Sequence, residues 1–143
     1  MAYDALTYGS IYISASAPTA TTGTVKTKAL GTTTAMMLGG FLATGDNRLV
    51  NDSGSTRAYD VIFTGSMSAD GGCVAQAHLY KNDTLITGAS IIRKIANVGD
   101  QGAFAISAQT SLDDGQYVEL WVETDDGETL TILAGVLSVK VLG

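Results

Sequence analysis

Three residue types that often shape small proteins are scarce in this chain, which has one proline, one cysteine and one histidine. The single cysteine, Cys73, excludes an internal disulfide and a cysteine-based zinc site, and we expect it to be buried on a strand. The single histidine, His78, offers little for catalysis, which needs a nucleophile beside an oriented base. We therefore expect no catalytic residue, no metal site, no cofactor and no small-molecule substrate.

Charge is also sparse. Charged residues make up 15% of the chain, and its eight basic residues are scattered, with a formal net charge of −6. Because phosphate binding needs clustered Lys and Arg, nucleic acid is not an expected partner. No apolar run reaches the roughly 20 residues of a membrane helix, and the N-terminus shows no secretory signal. We expect neither a membrane partner nor secretion.

The sequence is rich in residues that favour strands and turns. Its 143 residues are 45% hydrophobic, enough to bury one core. Eight to ten strand-like segments follow one another at regular spacing, with no convincing helix between them. This pattern is typical of an all-β sandwich. We divide the chain into an N-terminal arm with the first strand (residues 1–14) and one domain (residues 15–143).

The chain is organised around residues 102–122, which predict two strands joined by a tight turn. The first strand, Ala103 to Gln109, has no strongly polar face. Such a strand should be covered on both sides, and a neighbouring subunit could supply the second cover. One face carries Phe104, Ile106 and Ala108, and the other carries Ala103, Ala105 and Ser107.

The second strand alternates, with Val118, Leu120 and Val122 inward. Tyr117 and Trp121 face outward, four residues apart, and Glu119 and Glu123 lie on the same face. Paired outward aromatics are typical of subunit-interface anchors or of a sugar-stacking platform; idle exposure is the third possibility. We favour the interface.

Two apolar or basic segments earlier in the chain also carry predictions. Thr24 to Leu30 is expected to be an edge strand guarded by Lys26 and Lys28. Ala35 to Ala43 is expected to be a buried irregular strand or a bend, because paired glycines interrupt it.

Two acidic pairs, Asp113-Asp114 and Asp125-Asp126, precede glycines. Clustered carboxylates can bind calcium, but Asp-Asp-Gly is also typical of hairpin turns. We favour turns with solvated carboxylates.

The order of elements from Thr56 to Val139 resembles the C-terminal half of complement globular heads, which share a trimeric jelly-roll superfamily with tumour necrosis factor. The resemblance rests on Tyr80-Lys81-Asn82 and on positions Gly102, Leu112, Gly115, Val118, Leu120 and Gly135. It implies a jelly-roll homotrimer with the strand Ala103–Gln109 near the three-fold axis. The trimer-interface candidates are then Phe104, Ile106, Ala108, Tyr117 and Trp121.

The first 55 residues, with Tyr8-Gly9-Ser10-Ile11-Tyr12-Ile13 and Asn47-Arg48-Leu49, resemble bacteriophage virion proteins that share this fold. We therefore expect a capsid decoration (cement) protein on the outer capsid surface of a virion, bound to the major capsid protein at three-fold or quasi-three-fold sites. Tyr3, Leu6 and Tyr8 are the candidate capsid contacts. The alternative is a trimeric receptor- or glycan-binding head of a phage fibre.

Overall fold

The computed structural model describes residues 6–45 and 47–142, and this part of the chain contains twelve β-strands and no helix. The alternation of apolar and polar residues places most of them where the sequence predicts. The strands are β1 (Tyr8–Ser16), β2 (Pro18–Thr19), β3 (Thr27–Lys28), β4 (Gly31–Gly39), β5 (Phe41–Thr44), β6 (Arg48–Asn51), β7 (Arg57–Ala69), β8 (Cys73–Lys81), β9 (Thr84–Ile95), β10 (Gly102–Leu112), β11 (Tyr117–Thr124) and β12 (Leu130–Val141).

The strands form two antiparallel sheets of six strands each. Sheet I has the order β10-β7-β12-β1-β4, with β2 added to β12. Sheet II has the order β5-β6-β11-β8-β9, with β3 added to β11 beyond the end of β6. The predicted all-β jelly-roll sandwich is confirmed.

The core lies between the inner faces of the two sheets, as strand alternation requires. On β7, the longest strand, Tyr59, Val61 and Phe63 all point into it and are buried. The Phe63 ring stacks on Phe104 with 5.3 Å between ring centroids. Sheet II contributes Leu79, Val118, Leu120 and Val122 from the opposite side.

Two glycines make room for Phe63. A Cβ at Gly135 would stand 2.4 Å from the Phe63 ring, and one at Gly65 would stand 2.7 Å from it. Because both distances are far inside van der Waals contact, neither position accepts a side chain without moving the ring.

Phe104 and Ile106, expected at the trimer interface, do not point outward from sheet I. Both side chains are buried in the core of their own subunit, and Ala108 packs against that core. The face of β10 that is left exposed carries Ala103, Ala105 and Ser107. The larger apolar side chains occupy the interior because they bury more area there.

The earlier segments also differ from the prediction in part. Only Thr27–Lys28 forms a strand within residues 24–30, and it is hydrogen-bonded to β11. The predicted break at the paired glycines is confirmed, because Gly40, with φ of 75°, separates β4 in sheet I from β5 in sheet II. Burial is not confirmed: residues 35–38 of β4 are all exposed at the edge of sheet I.

The N-terminal boundary falls inside a strand. β1 lies between β12 and β4 and continues past the limit expected after residue 14, so it belongs to the sandwich. Tyr3, a predicted capsid contact, lies outside the described residues. Leu6 is exposed, and the backbone N–H of Val141 donates to the Thr7 carbonyl beside it.

Candidate functional site: the outward faces of the two sheets

The residues singled out from the sequence lie on different layers of the sandwich. Phe104, Ile106 and Ala108 point inward from sheet I, whereas Tyr117 and Trp121 lie on the outward face of sheet II. The structure therefore does not bring the five interface candidates together. Each outward face is a separate candidate surface.

The outward face of sheet I is almost without charge. Its strand register produces three cross-strand rows whose only Asp, Glu, Lys or Arg residues are Asp60 and Lys140, and these two are direct cross-strand neighbours. Depletion of charged side chains is typical of the centre of a protein interface. The rows are Ala105–Thr64–Val136–Tyr12–Thr34, Ser107–Ile62–Ser138–Ser10–Met37 and Gln109–Asp60–Lys140–Tyr8–Gly39.

Side-chain size changes across this face. The β10 side presents Ala103, Ala105 and Ser107, all small and exposed. The side formed by β1 and β4 presents Tyr8, Tyr12 and Met37, of which Met37 is 63% exposed. The Tyr8 ring lies over Gly39, where a Cβ would come within 2.7 Å of it. The face thus has a flat half and a projecting half.

The outward face of sheet II holds two buried carboxylates. Glu119, on β11, is 0% exposed and receives Lys28 Nζ at 2.6 Å and Arg48 Nη2 at 2.9 Å. Arg48 Nε also donates to it, at 3.0 Å, and Trp121 Nε1 donates to its other oxygen at 3.3 Å. A carboxylate taken out of water requires such partners, because leaving it unpaired would cost several kcal/mol.

The second carboxylate, Glu123, lies four residues further along β11. Its Oε1 is 2.8 Å from His78 Nε2 and 3.6 Å from Lys26 Nζ. His78 is 2% exposed, and its Nδ1 lies 2.6 Å from Ser90 Oγ. Burial lowers the pKa of His78 below its usual value, and the hydrogen bond to Glu123 opposes this only in part.

A neutral His78 satisfies every group in this chain of contacts. Its Nε2–H donates to Glu123, and the Ser90 hydroxyl donates to Nδ1. The order Ser–His–Glu also occurs in hydrolases, but acyl transfer needs in addition donors aimed at the oxyanion. What the geometry does establish is a buried polar chain that orients Glu123 under Lys26.

Aromatic rings cover the carboxylates. Trp121 stacks on Tyr80 with 4.2 Å between centroids and an interplanar angle of 3°. Tyr80 is 7% exposed while Trp121 is half-buried, so the indole is the more exposed of the two stacked rings. The Arg48 guanidinium lies 3.9 Å above the Tyr117 ring. Burial and a hydrogen bond to Asp83 raise the pKa of Tyr117.

The carboxylates of the acidic pairs accept hydrogen bonds from the backbone and side chains around them. Asp113 accepts from the Thr56 hydroxyl at 2.7 Å and Asp114 from the Gly54 N–H at 2.8 Å. Asp125 accepts from the Val74 N–H at 2.9 Å. These bonds fit the turn interpretation. Among residues 6–45 and 47–142, no group of three His, Cys, Asp or Glu side chains is placed to hold a metal ion.

The alternation of β11 places Glu119 and Glu123 on the outward face but does not predict their burial. The sequence feature that points to this site is the alternation of aromatic and acidic residues on one face of β11, namely Tyr117, Glu119, Trp121 and Glu123. The cations that cover them come from β6 and from residues 26–28, which are distant in sequence. Only the pairing of β3 with β11 puts Lys26 and Lys28 there.

With this geometry established, the fold can be compared with known structures. The chain is similar to Eiger TNF from S. frugiperda, with a TM-score of 0.67 at 10% identity over 96% of this chain and 93% of that one. It is similar to murine APRIL, with a TM-score of 0.63 at 11% identity over 94% and 99%. It is also similar to the globular domain of zebrafish complement 1qA, with a TM-score of 0.59 at 11% identity over 96% and 98%.

The fold is therefore a tumour-necrosis-factor-like jelly roll, as the resemblance to complement heads implies. Neither a protein-family profile nor a curated protein sequence matches the chain. Within the described residues, no helix has the length and apolar character needed to span a membrane.

Proposed function

We propose that the chain is a non-enzymatic, homotrimeric capsid decoration protein of a bacteriophage, bound to the major capsid protein on the outer surface of the shell. The observation that carries the self-association is the outward face of sheet I. It combines low charge with a flat half at Ala103, Ala105 and Ser107 and a projecting half at Tyr8, Tyr12 and Met37.

The two halves favour a head-to-tail interface. The projecting half of one subunit fits against the flat half of the next, and a heterologous contact of this kind forms a ring when the rotation closes. Three subunits match the trimer that the resemblance to complement heads implies. Because the two halves belong to one sheet, each subunit contributes both to the ring.

The end of the sandwich where Leu6 and Leu142 lie is the proposed capsid contact. Leu6 is 74% exposed and, with Leu142, borders a shallow cleft of about 410 Å³ that also includes residues 55–58. Three such ends, presented together on one side of a trimer, would bind a three-fold site with avidity. The net charge of −6 is compatible with an outward position, away from packaged DNA.

Shell stabilisation then follows from mass action. A protein that binds the assembled lattice and not free subunits stabilises the lattice by RT ln(1 + [L]/Kd), which is about 2.7 kcal/mol per site at a hundred-fold excess over Kd. This mechanism needs a rigid, unreactive module and no catalytic group. The resemblance of residues 8–13 and 47–49 to phage virion proteins supports the capsid setting.

The test adds purified protein to undecorated capsids. We expect saturable binding of trimers and survival of the shell at higher temperature. Deleting residues 1–6 should leave the trimer folded and lower its occupancy, because the exposed Leu6 is lost while the buried Thr7 is kept. Equal occupancy and equal protection by both forms would refute the proposed contact. Failure of both forms to bind would refute capsid decoration and favour the fibre head.

A further inference from the structure

We propose that the outward face of sheet II binds a carboxylated saccharide. The site, which we name the outer-sheet cluster, consists of Lys26, Lys28, Arg48, His78, Tyr80, Glu119, Trp121 and Glu123. The apolar face of a sugar ring would lie on Trp121, and its carboxylate would accept hydrogen bonds from the cations beside the indole. This goes beyond capsid attachment, and it places the ligand on a sheet face instead of on the distal loops.

The cations are held in place but keep unused donors. Lys28 Nζ has three N–H groups and one carboxylate oxygen at 2.6 Å. Arg48 uses Nε and Nη2 on Glu119, which leaves Nη1 for another acceptor. The side chains of Lys28 and Arg48 are about one quarter exposed, so a ligand can reach them. Charged donors that are already oriented lose less entropy when a ligand binds.

The charge of the cluster selects an anion. Three cations and two carboxylates, with His78 neutral, give it a net charge of +1. The whole chain carries −6, so the rest of the molecule carries −7. An acidic ligand is thus attracted to this patch and repelled from the remaining surface.

Trp121 supplies the apolar part of the site. One face of its indole stacks on Tyr80 with 4.2 Å between ring centroids, and the half-buried indole keeps part of its surface in water. A flat aromatic face fits the C–H face of a pyranose ring. An acidic peptide, the other anion to consider, would need the cations but not the indole, so the two ligands are distinguishable.

Stability alone does not explain this arrangement. Replacing a buried ion pair by apolar residues of similar volume is often neutral or stabilising, and an outward sheet face has no need of buried carboxylates. Glu119 and Glu123 do, however, fix Lys26, Lys28 and Arg48 in one place beside an aromatic ring. A binding site needs that orientation.

The experiment uses the fluorescence of Trp121, the only tryptophan of the chain. Trigalacturonate is titrated into the full-length protein, and its methyl ester, which keeps the rings but not the charge, is the matched probe. We expect a saturable emission change with trigalacturonate that weakens as salt rises, and binding at least threefold weaker with the ester. No saturable change up to 10 mM trigalacturonate, or equal binding of the two probes, would overturn the proposal.

Two variants, measured by calorimetry, separate the parts of the site. Lys26→Gln should weaken binding about threefold and Trp121→Ala about tenfold, while Lys94→Gln, on the same face of sheet II but outside the cluster, should have no effect. If Trp121→Ala does not fold, Trp121→Tyr keeps a ring on Tyr80 and must retain binding within about threefold. Unchanged affinity for trigalacturonate in Trp121→Ala would refute the saccharide site and favour an acidic peptide, which needs the cations but not the indole.

Discussion

Replacing Ala105 by glutamate tests the assembly face of sheet I. Ala105 is exposed on β10, in the same cross-strand row as Thr64 and Val136. In an isolated subunit the new carboxylate meets water and should change stability by no more than about 0.5 kcal/mol. In a head-to-tail trimer it would be buried, without a partner, against the projecting half of the next subunit.

The magnitude follows from the number of interfaces. An unpaired buried charge costs about 3 kcal/mol, so three interfaces lose about 9 kcal/mol, a factor of about 10⁶ to 10⁷ in the trimer dissociation constant. The protomer concentration at half-dissociation varies as the square root of that constant. It should therefore rise about 2,000-fold, which turns a nanomolar assembly into a micromolar one.

Mass photometry and light scattering across a dilution series measure this shift. Ala96→Glu, the same change at an exposed position outside sheet I, is the control and should leave the wild-type mass unchanged. Phe104→Ala should act differently: it lowers monomer stability by about 3–5 kcal/mol, because it opens a cavity in the core. A wild type that is monomeric at micromolar concentration, or a trimer unaffected by Ala105→Glu, would refute the assembly face.

Three further predictions concern stability and reactivity. Burial lowers the pKa of His78 in the folded state, so the unfolded chain binds more protons below about pH 6.5. The free energy of unfolding should therefore fall as the pH drops from about 6.5 toward the lower folded-state pKa. Urea denaturation across this pH range should show the fall, and His78→Gln should reduce it. Gly135→Ala should cost about 1–3 kcal/mol, because its Cβ meets the Phe63 ring, and Phe63→Leu in the same chain should restore part of the loss; strict additivity would contradict the contact. Burial, with Asp126 and Asp125 adding to it, raises the pKa of Cys73 to about 11, so the native thiol should resist thiol reagents at pH 8 and react at once in denaturant.

Strand positions were predictable where alternation and turn chemistry agree. β8 and β9 form a hairpin, because Asn82 and Asp83 both adopt positive φ, 46° and 61°, as a tight turn requires. For β10, both faces are apolar, so alternation fixes the strand but not which face points inward. Side-chain volume was the better guide, since Phe104 and Ile106 fill the core whereas Ala103 and Ala105 are exposed.

The outer-sheet cluster shows what alternation cannot supply. The period of β11 puts Glu119 outward, and an outward glutamate is usually solvated. Its burial depends on Lys28 and Arg48, which reach it through the pairing of β3 and β6 with β11. Lys26 and Lys28, expected to protect a free sheet edge, instead form ion pairs with Glu123 and Glu119. Long-range strand pairing decides which groups lie beside these lysines.

In a trimer the two proposed surfaces should act together. Sheets packed face to face lie about 10 Å apart, so a trimer joined through sheet I would leave three outer-sheet clusters facing away from its axis. Ala105→Glu should then keep the wild-type affinity for trigalacturonate, since each cluster belongs to one subunit, but lose about 10²-fold or more in apparent affinity for long polygalacturonate, which can engage several clusters at once. Surface-bound polymer and calorimetry with the trisaccharide make the comparison on the same samples. If the variant weakened trisaccharide binding as much as polymer binding, the saccharide site would depend on the interface and the two faces would not be independent.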